Sequence, residues 1–158
     1  MTMPTRVFSQ QPDLVAALPQ LLAHARRFFA AEVDILESSP PVRPEPDLAR
    51  VTLRFESARY PGSGTFTLEA RRPTPADVAD AEEAETRGRA GGMAQLAARC
   101  AALWTITPVG EISGSAELQL SALLASVALG PVMPADLSTL YGVRGAMERA
   151  EKATLRRE

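Results

Sequence analysis

The chain contains one histidine, His24, and one cysteine, Cys100. Nucleophilic or acid–base catalysis needs such a group beside a partner that moves its proton. His24 lies between Ala23 and Ala25 in a helical stretch, with no Asp or Cys near it in sequence. A lone histidine there reads as a surface or half-buried residue. Cys100 falls on an apolar stripe, where a thiol packs as a small hydrophobe. No catalytic signature flanks either residue, so the expectation is a protein without catalytic residues, not an enzyme. An enzyme built on Cys100 is kept as a third reading, which slow thiol labelling of the folded protein would argue against. One cysteine also excludes an internal disulfide and a multi-cysteine metal site.

Asp77, Asp80 and Glu83 recur at three-residue steps and could share one helix face. No histidine accompanies them and the calcium-loop pattern is absent, so they read as a solvated acidic face, with no metal and no cofactor expected. The glycines at Gly62, Gly64, Gly91 and Gly92 are not followed by Lys-Ser or Lys-Thr, and the single lysine is Lys152. A phosphate loop of that kind is excluded. The segment from Asp136 to Met147 has the outline of a helix-turn-helix with Gly142 in the turn. The inward positions that should be apolar are instead Glu148 and Glu151, which would be costly to bury. Arg144, Arg149, Lys152, Arg156 and Arg157 keep a nucleic-acid-binding regulator as the alternative function. Salt-sensitive DNA binding would be its signature, but nucleic acid is not the expected partner.

These residues must be placed by elements that the hydrophobic pattern outlines. Leu14, Leu18, Leu21, Leu22, Ala25, Phe28 and Phe29 recur at helical spacing after Asp13, with a kink or break expected at Pro19. Residues 1–11 read as a loose leader. Val33, Ile35 and Leu36 either end the helix or form a brief strand. Four prolines between Pro40 and Pro46 make an extended linker. The expected division is therefore residues 1–47, a helical segment with its linker, and residues 48–158. In the second part, Val51, Leu53 and Phe55, then Phe66, Leu68 and Ala70, alternate with polar residues as two strands around the turn Tyr60–Gly64. Thr74 then caps a helix with Pro75 at its first position and Asp77 closing a capping box. Met93, Leu96, Ala97, Cys100, Leu103 and Trp104 fit one stripe of a further helix, stopped by Pro108. A Gly/Ser loop spans 110–115, and Leu118–Leu129 forms an apolar helix. A last helical region starts at Asp136. The expected fold class is α+β: a small antiparallel hairpin packed on a mainly helical domain, with an N-terminal helix joined by a proline-rich linker.

The 158 residues are 46% hydrophobic and 23% charged, with a net charge of −2. That balance suits one globular domain and gives no global basic field for nucleic acid. The first residues lack a signal-peptide hydrophobic core, and no apolar run is long enough to span a bilayer, so a cytoplasmic protein without membrane contact is expected.

One local pattern is sharper. Leu68-Glu69-Ala70-Arg71-Arg72-Pro73-Thr74-Pro75-Ala76-Asp77 matches Leu-x-x-Arg-x-Pro-Thr-x-x-Asp, follows two short strands, and leads into an acidic helix and then Leu96-Ala97-Ala98-Arg99-Cys100. From Val51 to Lys152 the chain resembles the tail assembly chaperones of long-tailed phages and phage-like elements. Residues 1–47 have no counterpart in that pattern. The resemblance implies a non-enzymatic protein-binding assembly factor that shields tail tube or tape-measure protein before polymerisation, or a structural component of a tail-like particle. The implied partner is such a tail protein, with self-association as a further option. The docking surface is expected along Leu120, Leu123, Leu124 and Val127, whose apolar helix would otherwise be core. Arg72, Pro73, Thr74 and Asp77 are expected to define the strand-to-helix turn.

Overall fold

A computed structural model describes residues 4–39 and 49–155. The expected proline linker at 40–47 lies outside the described residues. The first strand, β1 (Thr5–Ser9), comes from the stretch read as a loose leader. Helix α1 (Leu14–Phe29) begins at Asp13, whose side chain accepts the Ala16 N–H, and carries Arg26 and Arg27 in its last turn, where the dipole favours positive charge. It runs through Pro19 without ending, because that proline sits on the solvent side. Strands β2 (Ala31–Ser39), β3 (Ala49–Ser57) and β4 (Gly62–Arg71) follow as an antiparallel meander. Helices α2 (Pro75–Gly88) and α3 (Met93–Ala98) lead into β5 (Ala102–Gly114). Helix α4 (Ala116–Ala128), the short β6 (Val132–Met133) and α5 (Val143–Leu155) complete the chain.

The expected small hairpin on a mainly helical domain is corrected. The described residues form one six-stranded antiparallel sheet in the order β2-β3-β4-β5-β1-β6, with five helices. The missed strands have a common cause. In β5, Leu103 and Trp104 fit the helical stripe begun at Met93, yet Trp104 and Ile106 also alternate with Thr105 and Thr107. Strand pairing with β4 and β1 decides in favour of period two. The expected Gly/Ser loop at 110–115 is mostly the far end of β5. It closes at Gly114, whose φ of 63° and 2.1 Å approach of a would-be Cβ to the Pro61 carbonyl admit only glycine. The last helix begins at Val143, not Asp136, so the helix-turn-helix lacks its first helix.

Alternation along the strands sends neighbouring residues to two cores. Val7, Phe55, Phe66, Trp104 and Ile106 point to one face of the sheet, under α1, α4 and α5. Phe8, Leu103 and Met133 point to the other, where they pack with Ala81, Ala84, Ala97 and Cys100 of the α2–α3 segment. Burying each large side chain is worth about 1.5–3 kcal/mol. Both sides of the proline linker contribute to the same sheet and the same main core. Helix α1 must cross from β1 to β2 over three intervening strands. It meets β2 near its start, where Ala31 and Val33 are buried, while Ile35 and Leu36 beyond them are exposed. On the second face, the packed segment covers the β5–β1–β6 end and leaves Arg50, Arg54, Glu56 and Thr107 exposed.

Candidate functional site

The Arg-Pro-Thr-x-x-Asp junction folds onto itself. Thr74 caps α2 by accepting the Asp77 N–H, and Asp77 accepts the Thr74 N–H at 2.7 Å, a capping box in full. Asp77 also receives both Arg71 terminal nitrogens, at 2.6 and 3.0 Å. A third guanidinium bond comes from Arg6 of β1, at 2.9 Å. Burial by itself would push the Asp77 carboxyl up. The bonds from Arg71, Thr74 and Arg6 outweigh it and hold the group well below the ordinary carboxylate range. Arg6 is 2% exposed, and its Nη2 lies 2.9 Å from Asp80 Oδ2 but is not aligned as a hydrogen bond. The expected solvated acidic face is corrected at Asp77, which is buried, and at Asp80, which is half-buried and faces Arg6; Glu83 is exposed as expected and pairs with Arg87 at 2.8 Å. Each carboxylate of that row has a cation partner. Arg72 is exposed, and its carbonyl accepts from Arg71. Pro73 is half-buried.

His24 and Cys100 sit in different places. Cys100 packs in the second core, donates to the Leu96 carbonyl, and burial pushes its thiol up to about 11, so it carries no thiolate at neutral pH. His24 Nδ1 is 2.8 Å from Ser126 Oγ of α4. The serine hydroxyl donates its only proton to the Leu123 carbonyl at 2.6 Å, so the imidazole must donate to it. A serine held this way is not activated for attack. Burial, then the charge of Arg27, lowers the His24 pKa.

Leu120, Leu123, Leu124 and Val127 are all buried, none more than 2% exposed. The expected docking surface is corrected on that ground. These four fill the space between the sheet, α1 and α5, and their apolar character all round α4 reflects burial on every side. Beside the start of α4 lies a cleft of about 260 Å³, lined by Glu117, Tyr141 and Arg149 among others. Burial raises the Glu117 pKa. Arg149 stacks 4.7 Å over the Tyr141 ring and donates to its hydroxyl, so its fork is already engaged. Arg144 pairs with Glu148 at 3.5 Å.

The uncovered end of the sheet has a different character. No described strand pairs with the outer side of β2, which leaves a row of backbone N–H and C=O groups unbonded by the sheet. Leu36, at 58% exposure, sits at a bulge where the pairing with β3 slips. Ile35 beside it is 36% exposed. On the polar face, Glu32 stands directly opposite Glu56, and Asp34 opposite Arg54. Glu32 is also 3.5 Å from Arg26. Arg50 of β3 pairs with Glu69 of β4 at 3.2 Å, and the Thr52 and Thr67 hydroxyls are 3.4 Å apart. Two carboxylates directly opposed across a strand pair weaken the sheet where they stand. Among the described residues, the arrangement leaves a strand edge open to further backbone pairing.

No family model, curated protein or solved structure matches this chain.

Two features that matter most, Arg6 and the β2 edge, lie outside the expected sites. Arg6 was hidden in the supposed leader, although Thr5, Val7 and Phe8 are strand-forming types that flank it. The β2 edge carries its own period-two signal, Glu32 and Asp34 alternating with Val33 and Ile35.

Proposed function

We propose that this protein is a non-enzymatic protein-binding assembly factor, similar in role to a phage tail assembly chaperone that shields tail tube or tape-measure protein before it polymerises. The observation that carries the reading is the long β2 edge, unpaired among the described residues, with Ile35 and Leu36 exposed beside it. Tail subunits present apolar surface and strand edges before assembly, and an unpaired edge with an exposed apolar pair is suited to cover them. The docking surface in this reading is β2, not the buried leucines of α4. Work of this kind takes place in the cytoplasm and needs no cofactor.

Co-expression with phage tail tube and tape-measure proteins tests it. The expected result is a stable co-purifying complex and less tail-protein aggregate, both reduced by Leu36→Asp. If neither tail protein co-purifies with the wild-type chain, the reading fails.

A further inference from the structure

We infer that β2 takes a basic extended segment of a partner protein as an added strand, with Lys or Arg side chains on one face and apolar ones on the other. This rests on the protein-binding reading above and names its mode and the chemistry of its partner. Strand addition draws affinity from main-chain hydrogen bonds and specificity from alternate side chains. The outer side of β2 supplies the first, and its alternation supplies the second. Val33 and Ile35 lie on the apolar face, Glu32 and Asp34 on the polar one. Glu56 stands behind Glu32 on the same face and adds to the negative charge, which Arg54 opposite Asp34 and the exposed Arg26, 3.5 Å from Glu32, offset only in part. An incoming Lys or Arg opposite Glu32 would relieve the Glu32–Glu56 opposition, so the pairing is stronger with the partner than without it. Apolar side chains on the other face would extend the cover over Ile35, which is 36% exposed.

The same charges argue against a second copy as the occupant. Two copies of β2 paired antiparallel about a two-fold axis must keep polar face beside polar face. Through the regular stretch Ala31–Ile35, every such register that pairs three or more of its residues sets Glu32 opposite Asp34, or sets one of them opposite itself. Like charges directly opposite are destabilising. The bulge at Leu36 stops that pairing from running further along the strand.

A fluorescent peptide of about nine residues alternating arginine with valine tests this on the full chain, against two controls: the same peptide N-methylated along one backbone edge, and a glutamate-for-arginine version. The expected result is saturable binding of the basic peptide, weakened at least about tenfold by N-methylation, by the glutamate exchange, and by the double variant Glu32→Gln/Asp34→Asn. Equal binding of the N-methylated peptide would mean charge attraction without strand addition and would overturn the inference. So would equal binding of the acidic peptide, or no binding of the basic one. Sedimentation that shows a wild-type dimer dissociated by Leu36→Asp assigns the edge to a second copy and also overturns it. Peptide binding without any tail protein in the co-expression test would remove the assembly-factor reading and leave this one standing.

Discussion

The two ends of the sheet handle charge in opposite ways. At the β1 end, Arg6 and Asp77 are buried together, and Arg71, Thr74 and Asp80 complete the cluster. At the β2 end, Glu32, Asp34 and Glu56 stand in water, with two of them facing each other. Charges that are buried must be paired, so the first cluster is committed to the fold. Exposed charges need no internal partner and remain available to something outside. The difference separates residues that hold the molecule together from residues that can meet a partner.

Breaking the buried cluster is expected to have the largest effect. Asp77→Ala removes the acceptor shared by Arg6, Arg71 and the cap, and leaves the buried Arg6 guanidinium with Asp80 as its one remaining carboxylate. A loss of about 3–5 kcal/mol in urea unfolding is expected. Glu32→Gln at the other end should shift stability by less than about 0.5 kcal/mol. A comparable loss from both would erase the distinction between the two ends. Next comes the apolar version of the same comparison. Leu124→Ala opens a cavity under the sheet and should cost about 2–5 kcal/mol, whereas Leu36→Ser should leave the unfolding midpoint nearly unchanged. If Leu36→Ser proved the more damaging, the exposed pair would have to be part of the core.

The acid limb of the stability profile sharpens the contrast. The native Asp77 carboxyl is held below its unfolded value of about 3.9, so its contribution is fully present above that pH and is lost as pH falls through the native value. His24, also held low, works in the same direction at milder pH. Its share is present above about 6.5 and declines as the unfolded chain takes up a proton first. Stability measured from pH 7 down to about pH 2 should therefore fall in two stages, the more acidic one setting in only below about pH 3.9. Asp77→Ala should flatten the more acidic one, and His24→Gln the milder one.

How much of this was legible in advance depended on whether a signal was local. The Thr74 cap, Pro75 at the first helical position and the Asp77 box were readable because capping is decided within four residues. That Asp77 also holds Arg6 was not, because the two are 71 residues apart in sequence and meet only when β1 enters the sheet beside β5. The α1 stripe and the two alternating strands β3 and β4 were legible from period alone. β5 was not, because Leu103 and Trp104 satisfy a helical and a strand period equally, and only pairing with β4 and β1 settles which wins. The apolar run of α4 was visible, but whether it faced a partner or a sheet was not. A helix apolar all round can be a core helix or a sticky one, and the two strands that period alone reveals offer too little surface to bury it.

The smallest effect concerns a residue that belongs to neither end. Leu129 closes α4 in the left-handed region at φ 54°, and its side chain is exposed. A branched side chain in that region costs about 1–2 kcal/mol relative to an ordinary conformation. Glycine adopts it without that strain but loses more backbone freedom on folding, so the net gain is smaller. Leu129→Gly should therefore raise stability by about 0.5–1 kcal/mol, read as a higher urea midpoint with an unchanged slope. The helix end would stay closed, because the Leu129 N–H still donates to the Ala125 carbonyl and its own carbonyl still accepts from Gln10. Should the glycine destabilise instead, the leucine would have to be gripping apolar surface despite its exposure.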